Sequence, residues 1–116
     1  MQISERYVGA VTVLDLNGKL TLGDGAGLLR DKIHSLLHQG RKYLLVNLGD
    51  VAYIDSAGIG EIVSSFTSVS REGGGLKLLN LTKRVQDLLA ITKLLTVFET
   101  FNSEAEAVKS FPSAGV

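Results

Sequence analysis

The stretch Tyr53-Ile54-Asp55-Ser56-Ala57-Gly58-Ile59-Gly60 joins a strand pattern to a helix pattern, and it decides the fold. Before it, residues 43–48 read YLLVNL, a nearly unbroken apolar run that is typical of a central strand covered on both faces. After it, apolar residues recur at steps of three and four and form one stripe of a helix. The stripe consists of Ile59, Ile62, Val63, Phe66 and Val69, and Glu61, Ser64, Ser65 and Ser68 fall outside it. The sequence therefore predicts a buried strand followed by an amphipathic helix.

Ser56 falls at the N-cap or in the first turn of this predicted helix. Free backbone N–H groups and the positive end of the helix dipole favour a serine oxygen at that place. They favour a phosphate group more strongly. The Ser56 hydroxyl is therefore a candidate functional group, and a plain helix cap is the alternative interpretation.

The rest of the chain alternates strand and helix patterns. Residues 3–16 predict a strand region or hairpin closed by Asn17-Gly18, with Val11, Val13, Leu14 and Leu16 as its core candidates. Asp24 is predicted to cap a helix that ends near Gly40. The inward side of that helix carries Ala26, Leu29, Ile33, Leu36 and Leu37.

The second half of the chain continues the alternation. Residues 76–81 predict a strand, Thr82 is expected to cap a short helix, and residues 96–99 predict a last short strand. Residues 103–106 fit a capping box that opens a closing helix with Val108 and Phe111 inward. Because parallel strands need crossover connections of this length, the fold class is α/β: a mixed, mostly parallel sheet of about four to five strands packed with about four helices. Sites in such sheets form beyond the carboxyl ends of the strands, where we expect residues 49–55 to form a loop.

Composition bounds the function. A chain of 116 residues with 45% hydrophobic content predicts one domain over residues 1–116, with 112–116 as a frayed tail. Twelve basic and twelve acidic residues cancel, so the overall charge does not favour nucleic-acid binding. The sequence has no cysteine, no signal-peptide pattern and no apolar run long enough to cross a membrane. We therefore expect a cytoplasmic protein without direct membrane insertion.

The glycines near Ser56 do not complete a nucleotide-binding motif. Gly58 and Gly60 match the first half of G-x-G-x-x-G, but Val63 stands where the third glycine would be. A P-loop needs a lysine after its second glycine, and neither this region nor Gly73-Gly74-Gly75 supplies one. The sequence accordingly predicts no nucleotide cofactor.

Catalysis through Ser56 is also disfavoured. A nucleophile elbow needs a glycine two residues before the serine, where this chain has Ile54. The only candidate bases are His34 and His38, which lie four residues apart on the first predicted helix with Asp31 close by. A metal patch of these three residues is conceivable, but a solvated helix face is the favoured interpretation, so we predict neither a catalytic nor a metal site.

With its surroundings, the segment Ile54-Asp55-Ser56-Ala57-Gly58-Ile59-Gly60 resembles the conserved loop of STAS domains, most closely that of bacterial anti-sigma factor antagonists. Asn17-Gly18-Lys19-Leu20 resembles the family's G-x-L segment before the first helix. Residues 76–81 resemble its fourth-strand segment. The likeness spans nearly the whole chain.

The resemblance implies a regulator that works by partner switching and catalyses nothing itself. Ser56 would be phosphorylated by an anti-sigma factor with serine kinase activity, and a serine phosphatase would reverse the modification. The unphosphorylated protein would bind the anti-sigma factor and release a sigma factor. The expected partner-binding residues are Asp55, Ser56, Ala57, Gly58, Ile59 and Thr21.

Several of these residues have a purely structural alternative. Asp55 could be a helix cap, Gly58 could serve tight packing, and Ile59 fits the apolar core stripe. Thr21 stands where many antagonists have an aspartate, and Ala57 stands where close relatives often have a second hydroxyl residue, which leaves Ser56 as the sole acceptor. The family also includes subunits and regulatory modules of membrane transporters and stress-sensing complexes, which is the alternative function.

Overall fold

A five-stranded sheet forms the centre of the computed structural model, which describes residues 1–112. Its strands lie side by side in chain order: β1 (Gln2–Val8), β2 (Val11–Leu20), β3 (Tyr43–Ile54), β4 (Gly75–Leu79) and β5 (Thr100–Phe101). β1 runs antiparallel to β2, and the other three pairs are parallel. The helices between residues 1 and 112 are α1 (Ala26–His38), α2 (Ser56–Arg71), α3 (Lys83–Ile91) and α4 (Glu104–Lys109). The fold class predicted from the sequence is confirmed.

Alternating strand residues build a separate apolar layer on each face of the sheet. On one face α1, α2 and α3 pack over the larger layer, which includes Leu14, Leu16, Leu44, Val46, Leu48, Leu76 and Leu78. On the other face Ala107 of α4 and the following Phe111 cover a smaller layer of Val11, Val13, Leu45 and Leu79. The central strands are therefore covered on both faces, as their apolar runs predict.

The prediction of a loop over residues 49–55 is wrong for most of that segment, because β3 continues to Ile54. Pairing with β4 ends at Asn47, but β2 remains paired with β3 up to Ile54. Val51 and Ile54 point into the core while the residues between them are exposed. This half-exposed extension lacks the dense apolar run of the earlier part of the strand, so its sequence resembles a loop.

The prediction that β2 ends at Asn17-Gly18 is also wrong, since β2 runs to Leu20 and the hairpin turn lies at Gly9-Ala10. Gly9 has a φ of 60°, a backbone conformation that glycine adopts without steric cost. The pairing of β2 with β3 shifts register next to Asn17 and Gly18. The Asn-Gly pair therefore marks an irregularity inside a ladder, which local sequence does not distinguish from a turn.

Other boundaries differ for local reasons. Gly25, not Asp24, precedes α1, and it provides no side-chain cap. β4 ends at Leu79, because Asn80 has a φ of 57°. The last strand is Thr100–Phe101 and not residues 96–99, since the chain turns after α3 and places Phe98 in the core.

Two predicted helix caps are confirmed. Thr82 accepts a hydrogen bond from the Val85 amide, and Ser103 accepts one from the Glu106 amide. Phe111 is buried as predicted but lies beyond the end of α4. Of the predicted tail over 112–116, Pro112 is exposed and residues 113–116 lie outside the described residues.

Gly58 sets how closely α2 approaches the end of β2. A Cβ at position 58 would overlap the carbonyl oxygen of Leu20 and come within 2.9 Å of the Ile54 side chain. Gly60, two residues later in the same helix, has no atom within 4 Å of the corresponding position. The first turn of α2 therefore lies against the backbone of β2 only because residue 58 has no side chain.

We expect Gly58→Ala to lower the free energy of unfolding by about 1–3 kcal/mol, because the helix must shift away from β2. Gly60→Ala is the matched control, and it should raise the same quantity by about 0.5–1 kcal/mol through the better helix propensity of alanine. Urea unfolding of both variants measures the difference. Equal stability of the two variants would contradict the packing role of Gly58.

Candidate functional site

Ser56 is the first residue of α2, and its side chain is exposed. The residue before it, Asp55, is the N-cap, with extended backbone angles and a carboxylate that accepts a hydrogen bond from the Gly58 amide. Within residues 1–112 the Ser56 hydroxyl forms no side-chain hydrogen bond of its own. The cap interpretation is therefore confirmed for Asp55, while the neighbouring hydroxyl is left free.

The Asp55 carboxylate joins α2 to the segment that follows β2. One oxygen accepts a hydrogen bond from the Gly58 amide at 2.9 Å, and the other accepts one from the Leu22 amide at 3.1 Å. These two backbone donors, Gly58 first, hold the pKa of Asp55 below its usual value because they favour the ionised form. Asp55 is thus a carboxylate at neutral pH, and it fixes the loop after β2 beside Ser56.

Thr21 shapes this loop from within. Its amide donates to the Asp24 carbonyl at 2.6 Å and its hydroxyl donates to the same oxygen at 3.1 Å. Its own carbonyl accepts from the Ala26 amide at 3.1 Å, at the start of α1. Thr21 therefore holds a tight turn whose apex carries Leu22, a side chain that is 80% exposed.

The predicted partner-binding residues differ in how far their side chains are exposed to solvent. Ser56 is exposed, and Asp55, Ala57 and Thr21 are partly buried. Gly58 is buried, and Ile59 is only 6% exposed, so the core interpretation of Ile59 is confirmed. Leu22 was not among the residues singled out from the sequence, because an apolar residue in a loop carries no signal of exposure.

Tyr53, the residue before the last one of β3, precedes Ser56 by three positions in the chain. Tyr53 is 43% exposed, and the guanidinium carbon of Arg84 lies 4.5 Å from its ring centroid. Arg84 lies in the first turn of α3, so a second helix begins at this edge of the sheet. A cation over an aromatic face is attracted by the ring quadrupole, which orders both side chains. Arg84 was not among the residues singled out from the sequence, so this contact was not predicted.

The histidines lie away from Ser56. His34 and His38 are exposed on α1 and line a cavity together with Ser68, Arg71 and Glu72 of the last turns of α2 and its cap. Since α2 has 16 residues, its two ends are about 24 Å apart. In the described part of the chain, neither histidine is placed to act as a base for Ser56.

The α2 stripe differs from its prediction at one position. Ser65 was expected outside the stripe but is 3% exposed, and its hydroxyl donates to the Glu61 carboxylate at 3.2 Å. That contact gives the buried hydroxyl a hydrogen-bond partner. None of the helices within residues 1–112 is long and apolar enough to cross a membrane.

Comparison with known proteins identifies the family. The sequence profile of the STAS domain matches residues 2–107. The anti-sigma-B factor antagonist of Bacillus subtilis is 42% identical over 74 residues, which are 64% of this chain and 67% of that protein. The profile match includes the segment around Ser56.

Solved structures agree at the level of the fold. A Thermotoga maritima protein provisionally named an anti-sigma factor antagonist has a TM-score of 0.87 at 26% identity, covering 94% of this chain and 93% of its own. The Bacillus cell fate determinant SpoIIAA, in its phosphorylated form, has a TM-score of 0.74 at 20% identity, covering 93% and 97%. The profile match over residues 2–107 extends across nearly all of the strands and helices described above, and the chain therefore belongs to the STAS domain family.

Proposed function

We propose that this protein is an anti-sigma factor antagonist whose binding to an anti-sigma factor is switched off by phosphorylation of Ser56. The observation that carries the proposal is the free, exposed hydroxyl at the first position of α2, beside a capping carboxylate that does the structural work. The 42% identical relative from Bacillus subtilis is named an anti-sigma-B factor antagonist, which supports the same role here. SpoIIAA, which has the same fold, has been solved in a phosphorylated form, and this supports phosphorylation as the proposed means of regulation.

The partner, an anti-sigma factor with serine kinase activity, carries out the chemistry. The Ser56 oxygen attacks the γ-phosphorus of ATP, the bond to the β-phosphate oxygen breaks, and the hydroxyl proton leaves to a base of the kinase. A serine phosphatase restores the hydroxyl by hydrolysis. This chain supplies the acceptor and the surface around it, and it is not an enzyme in this cycle.

The helix terminus tolerates the modification. A phosphate adds roughly 1.5 to 2 negative charges at neutral pH. The positive end of the α2 dipole offsets part of this charge, whereas the neighbouring Asp55 carboxylate opposes it. Because the Asp55 contacts to Gly58 and Leu22 do not involve Ser56, the modification leaves them in place.

The unphosphorylated surface offers a partner an apolar contact next to a neutral hydroxyl. Leu22 projects from the turn held by Thr21. Ala57, the residue after Ser56 in α2, is partly exposed. Burying Ser56 in such a contact requires only one hydrogen-bonding partner, whereas burying a phosphate dianion costs desolvation and repels acidic groups. Phosphorylation therefore abolishes docking by local electrostatics, without a rearrangement of the fold.

We expect the partner kinase and ATP to add one phosphate to the purified protein, at Ser56. Ser56→Ala should accept none, because the nearest exposed alternative within α2, Ser64, lies more than two turns away. Intact-mass and peptide mass spectrometry measure the stoichiometry and the position. Ser64→Ala is the matched control and should be phosphorylated like the wild type; a phosphate retained by Ser56→Ala would contradict the assignment.

We expect Ser56→Asp to unfold at the temperature of the wild type but to bind the anti-sigma factor at least about tenfold more weakly, since a charge enters the interface. Ser56→Ala should bind like the unphosphorylated protein. Calorimetric titration with the anti-sigma factor gives the affinities. If all three proteins bound the same partner equally, constitutive docking, as in a module of a transporter or stress-sensing complex, would replace the switch.

We expect Leu22→Ser to weaken binding of the anti-sigma factor by about tenfold, because an exposed apolar side chain at the centre of an interface contributes on the order of 1–2 kcal/mol. Ile91→Ser is the matched control, since Ile91 is 77% exposed and lies at the end of α3, outside the proposed docking surface of Leu22, Ser56 and Ala57. Both variants should keep the wild-type unfolding temperature. Equal affinities for the two variants would exclude Leu22 from the interface.

A further inference from the structure

A cavity lies between the C-terminal ends of α1 and α2. Its volume is about 610 Å³, and it is open to solvent. The α1 wall carries His34, Leu37 and His38, and the other wall carries Ser68, Arg71 and Glu72. The proposed Ser56 switch does not use this cleft, because Ser56 is at the opposite end of α2.

Two imidazoles face the cleft from one helix. His34 and His38 are four residues apart in α1, a spacing that places their Cβ atoms about 5–6 Å apart on the same face. Both side chains are exposed, and neither forms a hydrogen bond or an ion pair within residues 1–112. Their ring nitrogens are therefore free to act as ligands, and imidazole is the commonest protein ligand of transition metals.

The charges around the cleft favour a cation over an anion. The last turns of α1 and α2 both end here, so the negative ends of two helix dipoles point to the same region. The Glu72 carboxylate adds a negative charge to the α2 wall and offsets the guanidinium of Arg71. The negative ends of both helices and the Glu72 carboxylate would repel a bound anion. A metal ion would be repelled only by the Arg71 guanidinium.

We propose that His34 and His38 together bind one divalent transition-metal ion, such as Zn²⁺ or Ni²⁺, in the cleft between α1 and α2. Among the residues described, no three His, Cys, Asp or Glu groups are already placed around one point, so water completes the coordination of the two imidazoles. The solvated-face interpretation of the two histidines considered α1 alone. Folding brings residues at the end of α2 opposite these histidines, which the sequence of α1 does not indicate.

The test is calorimetric titration of tag-free protein with ZnCl2 and, separately, NiCl2 at neutral pH, with a parallel thermal unfolding series. We expect one ion per chain and an unfolding temperature that rises with metal concentration, because the ion binds the folded state. His34→Gln and His38→Gln should each weaken binding by at least about tenfold, because loss of a direct ligand costs no less than loss of a residue that only orients one. Glutamine keeps a polar side chain on the helix, so both variants should fold.

The control variant is Asp87→Asn on α3, which removes an exposed carboxylate that does not line the cleft. It should bind the ion like the wild type. Wild-type protein that takes up no ion, or histidine variants that bind as tightly as the wild type, would overturn the proposal. The Ser56 switch would be unaffected by either result, because phosphorylation and anti-sigma factor binding are measured without added transition metal.

Discussion

The parallel pairing of β2 with β3 is the interaction on which the rest of the structure depends. β4 accompanies β3 only to Asn47, whereas β2 stays with it to Ile54. This two-stranded extension carries the start of α2 and the loop before α1 beyond the carboxyl end of the sheet. Without it, Ser56 would emerge at the level of β4, with no neighbouring segment to form a surface.

Asp55 and Gly58 turn that extension into a fixed platform. The carboxylate of Asp55 binds one amide of α2 and one amide of the loop, and Gly58 lets the two backbones approach closely. Asp55, and not the neighbouring Ser56, thereby supplies the cap of α2. Ser56 keeps a free hydroxyl because its neighbour supplies the cap, so a change at Ser56 alters the surface and leaves the support intact.

The face of the sheet opposite α1, α2 and α3 is held by polar contacts as well as by its smaller apolar layer. Arg6 on β1 forms ion pairs with Asp15 on β2 and Glu104 on α4. Its guanidinium holds the pKa values of both carboxyl groups below their usual range, chiefly through hydrogen bonds. These groups are partly exposed, so water screens the pairs and they orient α4 more than they stabilise it.

Much of the fold, and the position of Ser56 at the start of α2, follow from the sequence by local rules. The apolar runs of β3 and β4, the stripe of α2 and the caps at Thr82 and Ser103 each depend on residues within one or two turns. The same locality identifies Ser56 at a helix start. It also explains the failures at residues 49–54 and 96–99, where pairing with a distant strand or burial of Phe98 decided the conformation.

The sequence by itself determined the alternation of strands and helices, the two-sided burial of the sheet and the position of one serine at a helix terminus. These features depend on periodicity and on neighbours in the chain. Only the tertiary structure decided that Asp55 reaches across to Leu22, that Arg84 lies over Tyr53, and that the histidines of α1 face the last turn of α2. Each of these contacts joins segments that are far apart in sequence, and their distance is set by packing against the sheet.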